Sequence, residues 1–339
     1  MENILHATPA HVSLPESFVF ASDKVPPATK AVVSLPIIDL SCGRDEVRRS
    51  ILEAGKELGF FQIVNHGVSK QVMRDMEGMC EQFFHLPTVD KASLYSEERH
   101  KPNRLFSGAT YDTGGEKYWR DCLRLACPFP VDDSINEWPD TPKGLRDVIE
   151  KFTSQTRDVG KELLRLLCEG MGIRADYFEG DLSGGNVILN INHYPSCPNP
   201  DKALGQPPHC DRNLITLLLP GAVNGLEVSY KGDWIKVDPA PNAFVVNFGQ
   251  QLEVVTNGLL KSIEHRAMTN SALARTSVAT FIMPTQECLI GPAKEFLSKE
   301  NPPCYRTTMF RDFMRIYNVV KLGSSLNLTT NLKNVQKEI

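Results

Sequence analysis

The chain is 339 residues long, 41% hydrophobic and 23% charged, with a formal net charge of −4. That balance is ordinary for a globular protein. The mild acidity and the lack of a basic run give no support for a nucleic-acid or membrane-surface partner.

Nine cysteines, an odd number at scattered positions with no Cys-x-x-Cys pair, predict free thiols in a reducing compartment. The opening residues show no basic region followed by an apolar core, so no signal peptide is expected. The longest apolar run, residues 214–219, is too short to span a bilayer. A cytoplasmic protein with no obligate protein partner is expected, in which the sequon at Asn327 has no meaning.

Residues 1–33 carry Pro9, Pro15, Pro26 and Pro27 with little periodicity, which predicts an extended arm. Residues 34–40 (SLPIIDL) read as a short strand. Residues 44–58 read as a helix through Val47, Ile51, Leu52, Ala54 and Leu58, stopped at Gly59. The run 59–67 (GFFQIVNHG) predicts an apolar strand and a turn that His66 serves. A second helix starts after Ser69 as N-cap and ends near Pro87, with Val72, Met73, Met76, Cys80, Phe83 and Phe84 as its apolar stripe. Residues 95–141 are polar and irregular, with Gly114-Gly115 inside, and predict a binding loop or lid. The strongest helix runs over 145–171 and stops at Gly172.

From residue 186 the period changes. Short runs rich in Val, Ile, Leu and Phe occupy 186–194, 214–219, 225–230, 234–238, 243–248, 252–256, 261–267 and 276–282, separated by turn formers. About eight short strands predict a sandwich or barrel. A last helix is expected over 308–320. The division expected is an N-terminal helix-and-strand region, 1–180, supporting a catalytic β domain, 181–339.

In a strand, residues i and i+2 point to one face. Asn192 with Tyr194, His209 with Asp211, and Arg275 with Ser277 are three such polar pairs. If all face one interior they make a polar pocket in an apolar wall, and His265 completes it from across the barrel. Two imidazoles and one carboxylate suit a non-haem Fe(II) with open coordination positions. The planar fork of Arg275 and the hydroxyl of Ser277 suit the carboxylate of a chelating cosubstrate. The ligand set alone leaves open a zinc or structural site, or a protein that binds without catalysis. His193 alternates away from the pairs and reads as a packing or surface residue. Cys210 should face away from the ligands on either side of it.

These residues resemble the plant 2-oxoglutarate- and Fe(II)-dependent dioxygenases. The N-terminal half matches through residues 35–40 and 59–67. The catalytic half matches through Asn192-His193-Tyr194-Pro195, His209-Cys210-Asp211, Asn257-Gly258, His265-Arg266 and Arg275-Thr276-Ser277. The resemblance implies a double-stranded β-helix, or jelly roll, flanked by helices. It implies His209, Asp211 and His265 as iron ligands, Arg275 and Ser277 on the distal carboxylate of 2-oxoglutarate, and Tyr194 with Asn192 at the opposite wall. It further implies Phe281 at the organic substrate, dioxygen as co-reactant, and ascorbate in support. Two positions depart from the usual pattern: Gln250, where an Asp is common, and Arg212, where a smaller or neutral residue is common.

Within the family the chain is similar to the hydroxylases of mugineic-acid phytosiderophores, small amino acids with several carboxylates. Such a substrate needs cationic partners, for which Arg212, Arg120 and Arg104 are the candidates. The reaction implied is C–H hydroxylation with release of succinate and carbon dioxide. A flavonoid or alkaloid substrate, or a second hydroxylation position, is the alternative.

Overall fold

The computed structural model describes residues 13–21, 25, 34–108, 117–131 and 133–319. Most of the arm expected over 1–33, Gly114-Gly115 and the sequon at Asn327 lie outside the described residues. Within the arm, a 3-10 turn at Glu16–Phe18 buries Phe18 edge-on against Trp119, ring centroids 5.1 Å apart.

Strand β1 (Ile37–Asp39) leads into α1 (Arg44–Glu57), which buries Val47, Ile51 and Ala54 along one face. Gly59 turns the chain at φ +60°, where an added Cβ would overlap the Lys261 carbonyl. Strand β2 (Phe60–Val64) then pairs parallel with β1. Helix α2 (Lys70–His85) is capped as expected, the Ser69 hydroxyl accepting from the Val72 amide at 3.2 Å. All six residues of its apolar stripe are buried. After the single turn α3 (Thr88–Lys91), the stretch expected to be irregular contains two strands, β3 (Arg104–Ser107) and β4 (Asp121–Cys127). Arg104, Asp121 and Arg124 interrupt their apolar character and hide the strand signal. Helix α4 (Leu145–Met171) ends at Gly172 in the left-handed conformation, with the amides of Gly172 and Ile173 reaching the carbonyls of Glu169 and Cys168.

The second half supplies β5 (Val187–Tyr194), β6 (Leu204–His209), β7 (Ile215–Leu219), β8 (Leu226–Tyr230), β9 (Asp233–Lys236) and β10 (Phe244–Phe248). Helix α5 (Gln250–Val255), β11 (His265–Met268), β12 (Arg275–Ile282), β13 (Leu289–Ile290), β14 (Thr308–Met309) and α6 (Phe310–Val319) complete the chain. Two expectations are corrected. Residues 252–256 are not a strand but lie mostly in α5, where the amides of Leu252 and Glu253 bond back to Gly249. A run as short as Leu-Glu-Val-Val-Thr carries too little periodicity to separate helix from strand. Strand β6 was not expected, because Gly205, Pro207 and Pro208 disfavour sheet pairing. It sits at a sheet edge, where Pro is tolerated.

One sheet runs β1-β2-β10-β7-β12-β5-β4-β3 and a second runs β6-β11-β8-β9. Together they form a double-stranded β-helix. Four strands of the large sheet come from the first 180 residues. Phe60, Leu226, Val228, Ile235 and Val245 pack between the sheets. On the outer face of the large sheet α4 lies close, because Gly160 has no side chain: a Cβ there would overlap Ile282 and crowd Leu217.

Candidate active site

Strands β6 and β11 place His209 directly opposite His265. The rings are 4.2 Å apart, centroid to centroid. His265 therefore comes from the adjacent strand of the small sheet rather than from across the barrel. Asp211 does not share a strand with His209 either. It lies just past the end of β6, where the chain crosses to β7 in the large sheet.

One carboxylate oxygen of Asp211, Oδ2, accepts from Thr216 Oγ1 at 2.6 Å and Asn247 Nδ2 at 2.7 Å. The other, Oδ1, faces His209 Nε2 at 3.5 Å and His265 Nε2 at 3.7 Å. Each imidazole has its Nδ1 against a backbone carbonyl: His209 at 2.9 Å from Pro207 O, His265 at 3.3 Å from Ile263 O. A carbonyl only accepts, so Nδ1 carries the proton and Nε2 presents its lone pair.

Three electron-pair donors thus converge within 4.8 Å of one another. Such a set repels itself without a cation, and its outer atoms are already held as metal ligands usually are. Burial opposes ionisation of Asp211, but the two imidazoles and Asn247 outweigh it and hold the carboxyl well below its ordinary range. Burial and the neighbouring His209 push His265 down to about 4, so it is neutral at physiological pH. The donor set fits a 2-His-1-carboxylate iron site. Gln206 Nε2 lies 2.9 Å from His209 Nε2, a lone pair that an ion held by this cluster would take instead.

Beside these three residues is a cavity of about 50 Å³, walled by β5 and β12. Cross-strand register puts Arg275 opposite Tyr194 and Ser277 opposite Asn192, so the two polar pairs read from sequence face each other. All four side chains are buried and line this cavity. Arg275 Nε donates to Val223 O at 3.0 Å, and its guanidinium lies 5.1 Å from the Tyr194 ring centre. Burial lowers the Arg275 pKa, with Tyr194 opposing. No acid forms an ion pair with it among the described residues.

A second cavity, about 160 Å³, meets the first at His209, Asp211, Asn190, Gln206 and Phe281. Arg99, Arg104, Arg120, Arg124 and Arg212 line it. The three arginines expected from sequence are therefore all present. Arg120 donates to Asn192 Oδ1 at 3.1 Å and Gln206 Oε1 at 2.8 Å. Arg212 lies over Tyr317 and Arg104 over Phe106. Sequence reasoning missed Thr216, Asn247, Gln206, Arg99 and Arg124. The available signal was a lone polar residue inside an apolar strand: Thr216 in ITLLL, Asn247 in FVVNF, Arg124 in DCLRLAC.

The other sequence readings also find their places. His66 bridges a turn, with Nε2 donating to Asn242 O and Nδ1 accepting from Val68 N. His193 packs flat against Phe84. Cys210 turns its thiol to Ser262 O, away from the ligand cluster. Gln250 is buried and its backbone N–H donates to Asp211 O at 2.7 Å, which fixes the chain behind the carboxylate.

Residues 185–284 match the 2OG-Fe(II) oxygenase superfamily, and residues 35–141 match the N-terminal region described as non-haem dioxygenase in morphine synthesis. The chain belongs to the 2OG-Fe(II) oxygenase superfamily and is a dioxygenase that uses Fe(II) and 2-oxoglutarate. It is 99% identical to 2'-deoxymugineic-acid 2'-dioxygenase of Hordeum vulgare over 339 residues, 100% of both chains. It is 54% identical to mugineic-acid 3-dioxygenase of Hordeum vulgare, again over 100% of both. Among solved structures it resembles JOX2 in complex with 2OG, Fe and JA, with TM-score 0.84 and 33% identity over 93% of this chain and 92% of that one.

Proposed function

We propose that the chain hydroxylates 2'-deoxymugineic acid at its 2' carbon. The observation that carries this reading is the cavity of five arginines opening onto His209 and Asp211. A substrate rich in carboxylates suits such a wall, whereas an apolar aromatic substrate would leave Arg99, Arg104, Arg124 and Arg212 without an anion. The 99% identity to the barley enzyme of that name supports the same substrate.

In this reading His209, Asp211 and His265 hold the iron, with Thr216 and Asn247 keeping Asp211 turned toward it. Arg275 and Ser277 grip the distal carboxylate of 2-oxoglutarate, and Tyr194 and Asn192 close the other side. The bound iron supplies oxygen activation, coupled to decarboxylation of 2-oxoglutarate. The protein's part is to orient and to exclude water: Phe281 sits where both cavities meet and separates cosubstrate from substrate. Arg212, Arg120 and Arg104 hold the carboxylates of the substrate. Residues 1–180 support the catalytic region at 181–339. Nine free cysteines fit a cytoplasmic location, and no helix among the described residues is long and apolar enough to cross a membrane.

Succinate release measured with 2'-deoxymugineic acid, mugineic acid, a flavanone and hyoscyamine offered separately tests the assignment. Release with 2'-deoxymugineic acid well above the others is expected. Preference for mugineic acid would move the assignment to the 3-hydroxylation named for the 54% relative, and preference for the flavanone or alkaloid would overturn it.

A further inference from the structure

The arginines are not scattered over the cavity. Cross-strand register puts Arg104 of β3 opposite Arg124 of β4, Arg124 opposite Asn190 of β5, and Asn190 opposite Ala279 of β12. One row of facing residues thus runs from the sheet edge inward. At its outer end Arg104 and Arg124, two like charges, are cross-strand partners. At its inner end Asn190 and Ala279 border the cosubstrate cavity, and Asn190 borders both cavities.

Like charges directly opposite on neighbouring strands destabilise a sheet. Arg124 carries the heavier load: burial first, then Arg212 and Arg104, push its pKa down to about 9. It forms no ion pair among the described residues, and neither do Arg104, Arg212 and Arg99. Arg104 in addition has a buried Nε with no acceptor. Asn190 presents the complementary lack, a buried amide oxygen with no donor. The nearby acceptors are already taken, Gln206 Oε1 by Arg120 and Asp211 Oδ2 by Thr216 and Asn247. A row that lacks anions at its outer end and an N–H donor at its inner end describes its ligand.

We infer that Arg124, paired with Arg104, anchors a terminal carboxylate of the substrate, and that Asn190 accepts a hydrogen bond from a substrate amine beside the carbon to be hydroxylated. The row fixes which end of the substrate enters first. The carboxylate is held at the rim and the amine at the junction, so the intervening carbon lies over His209 and Asp211. Arg124 and Asn190 are specificity determinants whose alignment in one row only the register across the sheet reveals. The inference rests on the polycarboxylate amino-acid substrate proposed above.

The test is calorimetric binding of 2'-deoxymugineic acid, without dioxygen, to enzyme loaded with Fe(II) and 2-oxoglutarate. Arg124→Met should weaken binding about 10- to 100-fold, the loss of a charge-assisted contact, with 2-oxoglutarate affinity unchanged. Arg124→Lys, which keeps the charge but not the fork, should fall between the two. Asn190→Ala should bind about tenfold more weakly and release more succinate per hydroxylated product, because the target carbon is no longer held. Binding by Arg124→Met within twofold of wild type overturns the anchor, and a succinate-to-product ratio unchanged in Asn190→Ala overturns the amine contact. Should Arg124→Met also lose 2-oxoglutarate, Arg124→Lys decides alone, and wild-type substrate affinity in that variant overturns the anchor. If wild-type enzyme loads 2-oxoglutarate but does not bind 2'-deoxymugineic acid, the substrate assignment itself falls, which is a separate result.

Discussion

Asp211 shows how little of a metal site is made by the ligands themselves. Its Oδ2 is held by Thr216 and Asn247, which come from two different strands of the large sheet, so Oδ1 is left to face the imidazoles. Asn247→Leu should lower Fe(II) affinity about tenfold or more, in the range seen for partners that orient metal ligands. Anaerobic Fe(II) titration checks this, and an unchanged affinity would show that Thr216 alone suffices. Arg275→Ala should raise the concentration of 2-oxoglutarate needed for half-maximal turnover by roughly 10- to 100-fold, from loss of a charged hydrogen-bond partner. Substrate affinity should stay near wild type in that variant, and an unchanged 2-oxoglutarate requirement would refute the assignment. The two polar pairs of β5 and β12 were legible because each is a same-face interruption of an apolar run, whereas His209, Asp211 and His265 were legible by residue type and spacing, since Asp211 lies beyond the strand that carries His209. Arg124 and Asn190 stand out locally only as polar residues within apolar strands; that they share one row lies in register across four strands, which no local pattern records.

Among the elements, the helices were read most accurately, since caps and periodicity are local. Ser69 is the clearest case: Ser69→Ala should cost about 1 kcal/mol of stability by leaving the Val72 amide without its acceptor. Urea unfolding of the two proteins measures this, and equal midpoints would contradict it. Helix α4 depends on a different device. Gly160→Val should lower stability by about 1–3 kcal/mol, because the added atoms drive into Ile282 and Leu217 and the sheet behind them. A higher melting temperature in that variant would show that helix propensity outweighs the clash. The misread elements share a cause. In α5 six residues, with two buried glutamines among them, are too few to set a helical period, and in β6 two prolines argue against a strand that survives only at an edge. Strands β3 and β4 were hidden by Arg104, Asp121 and Arg124, charges that break their apolar pattern.

At the scale of the molecule, two sheets enclose the three-donor cluster: His209 and His265 stand on the small sheet, and Asp211 is tied by hydrogen bonds to the large one. Strands from the first 180 residues extend the large sheet on both edges, so the N-terminal region contributes Arg104, Arg120 and Arg124 directly to the cavity. Fully buried Lys91 helps fasten that region, donating to Phe84 O at 2.7 Å. Burial pushes its pKa down to about 8, with Asp121 and Asp90 opposing. Between pH 8 and about 10.5 the unfolded chain therefore binds more protons at this residue than the folded one, and stability gains with rising pH. The unfolding free energy of wild type relative to Lys91→Met should accordingly rise across that window, and a flat difference would show that Lys91 titrates normally.

In the function proposed, this jelly roll inserts an atom of dioxygen into a polycarboxylate amino acid held by its arginines. Mass spectrometry of 2'-deoxymugineic acid, after turnover with Fe(II), 2-oxoglutarate and heavy-oxygen-labelled dioxygen, tests it most directly. The account predicts a product with one labelled oxygen atom and one succinate released per product. Recovery of unmodified 2'-deoxymugineic acid from enzyme that turns over another substrate would contradict it.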